Sequence, residues 1–102
     1  MQIEDLEHKA SEAARLLGAM SNPRRLMVLC QLVEGEMNVT ALAEAVGLSQ
    51  SALSQHLAKL REAGLVGTRR EAQTIYYRLV GEEATEVLRT LHRIYCQPQI
   101  QP

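Results

Sequence analysis

The chain has 102 residues, of which 46% are hydrophobic and 23% charged, and its formal net charge is -1. This composition is typical of a globular protein and excludes a disordered or fibrous chain, so we expect one domain over residues 1–102. Neither a secretory leader nor an apolar run of the roughly 18 residues that cross a bilayer is found, which predicts no membrane contact and a cytoplasmic location.

The first half of the chain has the periodicity of three helices. Apolar residues recur every three or four positions over residues 3–20, which predicts one amphipathic helix. Asn22 and Pro23 are an N-cap and a first-turn proline, and a second helix follows as far as Gly35. Residues 40–47 form a short third helix, whose final glycine suits the left-handed conformation that closes helices.

A fourth helix begins directly after this short one. Ser49 is its N-cap, and the helix runs to about Ala63, where Gly64 ends it. A short helix, a glycine turn and a second helix in this order predict a helix-turn-helix.

The periodicity changes from 3.6 to two residues after this element. Residues 65–70 and 74–80 are rich in β-branched and aromatic residues, which predicts a β-hairpin, or wing, with its turn at residues 71–73. Helical spacing returns over residues 82–96, and Pro98 marks the end of that last helix. The chain is therefore predicted to be mainly α, with five helices and two strands.

The fourth helix has the side chains of a DNA-reading element. Major-groove recognition needs short polar side chains on the exposed helix face, flanked by cations that meet phosphates. Residues 48–58 contain no charge, whereas a solvated helix face usually carries Glu and Lys, although a solvated face stays the alternative for any single residue. We predict DNA contacts from this helix and the wing by Ser49, Gln50, Ser51, Ser54, Gln55, His56, Lys59, Arg61, Arg69, Arg70, Gln73 and Thr74.

The charge distribution agrees with this prediction. Residues 49–80 hold five basic and two acidic side chains, a local charge of +3, which leaves -4 for the remainder of the chain. Basic charge concentrated around the predicted reading element favours binding to a polyanion despite the acidic total.

The chain contains two cysteines, Cys30 and Cys96. They form no CxxC pair and have no zinc-finger spacing, so a structural zinc site is not expected. In a reducing cytoplasm they are either small apolar residues or a reactive thiol couple. Cys30 shares an apolar stripe with Leu26, Leu29 and Val33, so a small buried residue stays a strong alternative for it. Cys96, near a chain end, is harder to explain as a core residue.

Several collinear motifs resemble the ArsR/SmtB family of winged helix-turn-helix repressors. They lie at residues 22–26, 48–57, 60–66 and 69–77. The resemblance implies a homodimer in which the first and last helices pair across a two-fold axis. The two recognition helices would then enter successive major grooves of a pseudo-palindromic operator in double-stranded DNA, roughly 34 Å apart.

The two thiols resemble those of one branch of this family. Asn38 and Thr40 stand where metal-sensing members carry cysteines, and the last helix lacks paired metal ligands, so no metal and no other cofactor are expected. Cys30 and Cys96 instead resemble the pair in the thiol- and persulfide-sensing, SqrR/BigR/HlyU-like branch. This implies a repressor or anti-silencer that releases DNA when a small reactive sulfur species or an oxidant links the two cysteines by a di- or polysulfide.

Other functions stay open at this point. One is a metal- or metalloid-responsive repressor of the same family. Another is a winged-helix module that binds protein, although such a module favours apolar or acidic residues where Gln50, Ser54 and Gln55 stand. An enzyme is not expected, because the sequence lacks a CxxC motif, a phosphate-binding loop and a Ser/His/Asp set.

Overall fold

The computed structural model describes residues 2–96. In this range the elements, in chain order, are α1 (Ile3–Glu7), α2 (Ala10–Met20), α3 (Pro23–Val33), β1 (Met37–Asn38), α4 (Val39–Val46), α5 (Gln50–Glu62), β2 (Val66–Glu71), β3 (Thr74–Leu79) and α6 (Glu83–Tyr95). This confirms the mainly α fold with a β-hairpin wing. Pro98, predicted to end the last helix, lies outside the described residues.

The prediction of one continuous helix over residues 3–20 is wrong. The chain makes a turn at residues 8–9, where the Lys9 amide donates to the Leu6 carbonyl at 2.9 Å, and α2 starts after it. Helices of this length depend on tertiary packing, and α1 has no buried residue that would hold it in line with α2. The apolar periodicity was correct, but it does not reveal such a break.

The predicted helix caps of α3, α4 and α5 are confirmed. The Asn22 side chain accepts from the Arg24 amide at 2.9 Å, and the Ser49 hydroxyl accepts from the Ala52 amide at 3.1 Å. Gly47 ends α4 in the left-handed conformation, with φ 70°. These local bonds fix where α4 stops and where α5 begins.

The wing belongs to a three-stranded antiparallel sheet of order β1-β3-β2. The strand β1 was not predicted, because two residues are too few to show a periodicity. Tyr76 in the central strand pairs with Asn38 on one side and with Arg69 on the other. The wing is therefore joined to the segment between α3 and α4.

The core is built mainly from leucines of α3, α4 and α5. Leu53, Leu57 and Leu60 of α5 are at most 1% exposed, so one face of that helix is fully buried. Tyr77 of the wing packs against this core. Because the buried face of α5 is so well fixed, its opposite face must lie toward solvent.

The hairpin turn contains a strained residue. Glu71 pairs with Thr74, so Ala72 and Gln73 form a two-residue loop, and Ala72 has a φ of 56°. An alanine in this left-handed region costs about 1 kcal/mol that glycine does not pay.

We therefore expect Ala72→Gly to raise the free energy of unfolding by about 0.5 kcal/mol or more, even though glycine makes the unfolded chain more flexible. Urea denaturation measures this change. Ala58→Gly, on the exposed face of α5, is the control and should lower the same free energy by about 1 kcal/mol. A loss of stability in both variants would contradict the strain at Ala72.

Large apolar side chains are exposed near both ends of the described chain. We call the following set the terminal apolar surface: Ile3, Leu6, Leu17, Ile94 and Tyr95, which are 52 to 77% exposed. They lie on α1, α2 and α6, whereas Ala84 and Leu88 of α6 are buried in the core. Within residues 2–96, no helix combines the length and the apolar character needed to cross a membrane.

Candidate nucleic-acid interface and thiol pair

The outward face of α5 carries uncharged polar side chains. Ser51, Ser54 and Gln55 are exposed, on the side of the helix opposite to Leu53 and Leu57. Hydroxyl and amide groups both donate and accept hydrogen bonds, so this face can match the donor and acceptor pattern of base edges.

Two residues predicted to contact DNA also have structural roles. Ser49 caps α5, and the Gln50 side chain donates through Nε2 to Thr40 Oγ1 at 3.1 Å. The second bond joins the first turns of α4 and α5. Thr40 was not among the predicted DNA contacts. Its hydrogen bond to Gln50 joins residues ten positions apart, and no sequence pattern indicates such a bond.

The tip of the wing lies beside the first turn of α4. Gln73 and Thr74 line a shallow groove together with Thr40 and Glu44. Since Thr40 also binds Gln50, the structure brings the wing tip and the start of α5 to the same side of the molecule.

The predicted cations at the end of α5 are separate from the wing tip. Lys59 and Arg61 are exposed in the last turn, where the helix dipole favours positive charge, and His56 is half-buried. Lys59 lines a groove with Arg15 and Arg25, two cations that the sequence did not assign to the site. Arg25 also donates through Nε to the Ala19 carbonyl at 2.6 Å, a contact that the periodicity of the sequence does not indicate.

Arg69 and Arg70 of the wing have different surroundings. Arg69 Nη1 donates to Glu71 at 2.7 Å, its Nε donates to Glu36 at 3.0 Å, and its guanidinium lies 4.7 Å from the centroid of the Tyr76 ring. These hydrogen bonds lower the pKa of Glu36 and raise the pKa of Arg69. Within residues 2–96, Arg70 forms no salt bridge.

Both cysteines are exposed free thiols. The structure excludes the alternative that Cys30 is a small buried residue, because the buried side chains of α3 are Val28, Leu29 and Leu32. Partial desolvation of its sulfur raises the pKa of Cys30, and the negative charge of a Cys96 thiolate raises it further. The second effect means that the two thiols lie within electrostatic reach of each other.

Cys30 lines a groove between α3 and α6. The groove is lined by Glu34 on the α3 side and by Leu88, Arg89 and His92 on the α6 side. His92 therefore lies near Cys30. The groove beside the Cys30 thiol therefore holds an imidazole, a guanidinium and a carboxylate.

Within the described part of the chain, no group of three or more His, Cys, Asp or Glu side chains is arranged to hold a metal ion. The two positions where metal-sensing members carry cysteines have other roles in this protein. Asn38 caps α4 by accepting from the Ala41 amide at 2.8 Å, and Thr40 binds Gln50.

Comparison with known proteins identifies the family. Residues 22–68 match the model of the bacterial regulatory proteins of the arsR family. The transcriptional activator HlyU of Vibrio cholerae is 50% identical over 97 residues, which cover 95% of this chain and 90% of that protein.

Solved structures agree with this relationship. The transcriptional repressor BigR of Xylella fastidiosa superposes with a TM-score of 0.90 at 45% identity, over 96% of this chain and 100% of that chain. The homodimeric winged helix-turn-helix DNA-binding domain of a possible ArsR-family regulator from Mycobacterium bovis superposes with a TM-score of 0.77 at 34% identity. The match covers 86% of this chain and 82% of that chain. The chain thus belongs to the ArsR family of winged helix-turn-helix transcriptional regulators and is not an enzyme.

Proposed function

We propose that this regulator binds operator DNA as a homodimer and releases it when Cys30 and Cys96 become linked through sulfur. The observation that carries the proposal is the exposed, uncharged polar face of α5, fixed by the buried leucines on its other side. Polar side chains on a rigid helix lose little conformational entropy when they bind base edges.

The proposed DNA contacts divide by chemistry. Gln50, Ser51, Ser54 and Gln55 read base edges in the major groove, and the N-terminal amides of α5 meet a phosphate. The remaining contacts are to the DNA backbone, from His56, Lys59, Arg61 and the wing, with Ser49 holding the start of the helix.

The terminal apolar surface is proposed to form the dimer interface. A set of exposed apolar side chains on three helices is more than a monomer usually leaves in water, and burying it against a second copy is favourable. The M. bovis relative, described as homodimeric, supports this arrangement. A dimer would present two copies of α5 to two operator half-sites.

The proposed switch uses the two thiols in sequence. In the proposed order Cys96, an exposed thiol at the end of α6, reacts first. Its thiolate attacks the terminal sulfur of a hydropersulfide R–S–SH, forming Cys96–S–SH and releasing RS⁻. The Cys30 thiolate then attacks the inner sulfur, forming the Cys30–Cys96 disulfide and releasing HS⁻. The sulfane sulfur is thereby reduced to sulfide, and a longer persulfide would leave a polysulfide bridge.

Such a bridge would connect α3 to the end of α6. Ile94 and Tyr95 of the terminal apolar surface precede Cys96 directly, so displacement of this segment would disturb the proposed dimer interface. The distance between the two recognition helices would then no longer match successive major grooves.

The proposal is tested by measuring the affinity of this protein for the DNA upstream of the gene that encodes it, by fluorescence anisotropy at a fixed salt concentration. We expect tight binding by the reduced protein and at least a tenfold loss after treatment with an organic hydropersulfide, about 1.4 kcal/mol. Cys30→Ser and Cys96→Ser should bind like the reduced wild type and keep their affinity after treatment. Mass spectrometry identifies the bridge.

Two outcomes would contradict parts of the proposal. Equal affinity before and after treatment of the wild type would leave DNA binding intact and remove the thiol switch. A response of Cys30→Ser as large as that of the wild type would show that the two-thiol mechanism is wrong. Absence of binding to this DNA in the reduced state would contradict regulation of its own gene.

A further inference from the structure

We infer that Arg69 is a positioning residue that fastens the wing to the segment before α4, and that Arg70 is the wing cation that meets a DNA phosphate. This inference rests on the proposed DNA binding and assigns different roles to two adjacent arginines. Sequence analysis predicts a DNA contact for both of them.

The side chain of Arg69 crosses the sheet. Arg69 lies on β2, opposite Tyr76 of the central strand, and Asn38 of β1 pairs with Tyr76 from the other side. Glu36 stands just before β1, so the guanidinium passes over the Tyr76 ring to reach it. We call this contact between Glu36 and Arg69 the wing latch. It connects the outer strand of the hairpin to the chain that enters α4.

The charges around Arg69 disfavour a phosphate as a further partner. All three guanidinium nitrogens donate to carboxylates, Nε and Nη2 to Glu36 and Nη1 to Glu71. Arg78 also acts electrostatically on Glu36, so the cluster holds two cations and two carboxylates and has no net positive charge. A phosphate would have to displace these carboxylates or approach them against repulsion.

Arg70 lies on the opposite face of the hairpin. Side chains alternate along a strand, so Arg70 shares a face with Val66 and Thr68, and Val66 is buried in the core that α5 also packs against. Arg70 is exposed on the same side of the sheet as the recognition helix, and no carboxylate neutralises it within the described residues.

The decisive test is the sign of the effect of Glu36→Gln on DNA affinity. If the latch positions the wing, the variant should bind the same duplex about fivefold more weakly, although it has lost a negative charge. Arg69→Gln should weaken binding equally, and the double variant should be no weaker than either single variant. Tighter binding by Glu36→Gln, or single effects that multiply in the double variant, would overturn the inference.

Two matched variants distinguish the effect of losing the wing latch from the effect of a change in net charge. Glu44→Gln removes an exposed carboxylate beside the wing tip that takes no part in the latch, and it should leave affinity unchanged or raise it slightly. Arg70→Gln should weaken binding and reduce the slope of log Kd against log salt by about one for each protomer bound. An unchanged slope in Arg70→Gln would refute its assignment to a phosphate.

A measurement without DNA distinguishes failure of the latch from failure of the proposed function. The pKa of the Glu36 carboxyl, followed by NMR, should be below its ordinary value in the wild type and in Arg70→Gln, and should return toward it in Arg69→Gln. An ordinary value in the wild type would refute the latch whatever the DNA result. A low value in a protein that binds no DNA would retain the latch and reject DNA binding.

Discussion

Leu17→Glu and Ile94→Lys are each expected to convert the protein to a monomer and to weaken binding to a two-half-site duplex by about a hundredfold or more. Both residues belong to the terminal apolar surface and are 54% and 61% exposed in the single chain. A charge that must be desolvated in an apolar interface costs several kcal/mol, because no partner replaces its water. A monomer then holds only one half-site and loses the effective concentration of the second.

Light scattering after size exclusion measures the mass, and fluorescence anisotropy measures the affinity. Val80→Thr serves as the control, since Val80 is an exposed apolar residue outside α1, α2 and α6, at 41% exposure. It should stay dimeric with unchanged affinity. A dimer that persists in both Leu17→Glu and Ile94→Lys would place the interface elsewhere.

Leu53→Ala should lower the free energy of unfolding by about 3 kcal/mol and the Tm by roughly 10 °C or more. Leu53 is fully buried in the core between α5 and its neighbours. Removing its isobutyl group loses hydrophobic burial and leaves a cavity that surrounding helices fill only in part. Urea denaturation and calorimetry at one fixed protein concentration measure both quantities.

Gln55→Ala is the matched variant on the exposed face of the same helix. It should change the free energy of unfolding by no more than about 0.5 kcal/mol. It should nevertheless weaken specific DNA binding about tenfold, because a base-edge contact is lost in each half-site. A large stability loss in Gln55→Ala would mean that α5 buries a different face from the one described.

The parts of the fold that could be predicted from sequence are those with local causes. Asn22, Ser49 and Gly47 act through hydrogen bonds and backbone conformations within a few residues, so their caps were found at the correct positions. The break between α1 and α2 and the strand β1 depend on packing and pairing with distant residues. Periodicity carries no information about such contacts.

The same distinction holds for the candidate site. The polar face of α5 follows from the spacing of its leucines and was predictable. The latch joins Glu36 and Arg69 across 33 residues, and its geometry requires β1, which no sequence signal indicated. Cys30 follows Leu29 by one residue, a rotation of about 100° around the helix, and that was enough to bring it from the core to a groove.

Asn38 belongs both to the wing sheet and to the N-terminal cap of α4. Its backbone pairs with Tyr76 in the wing sheet, and its side chain caps α4 through the Ala41 amide. The wing and the helix-turn-helix therefore cannot change their relative orientation without losing either a strand pairing or a cap. Because this orientation is fixed in the free protein, the proposed contact of both elements with an operator would cost little conformational entropy, and more of the contact energy would be available for affinity.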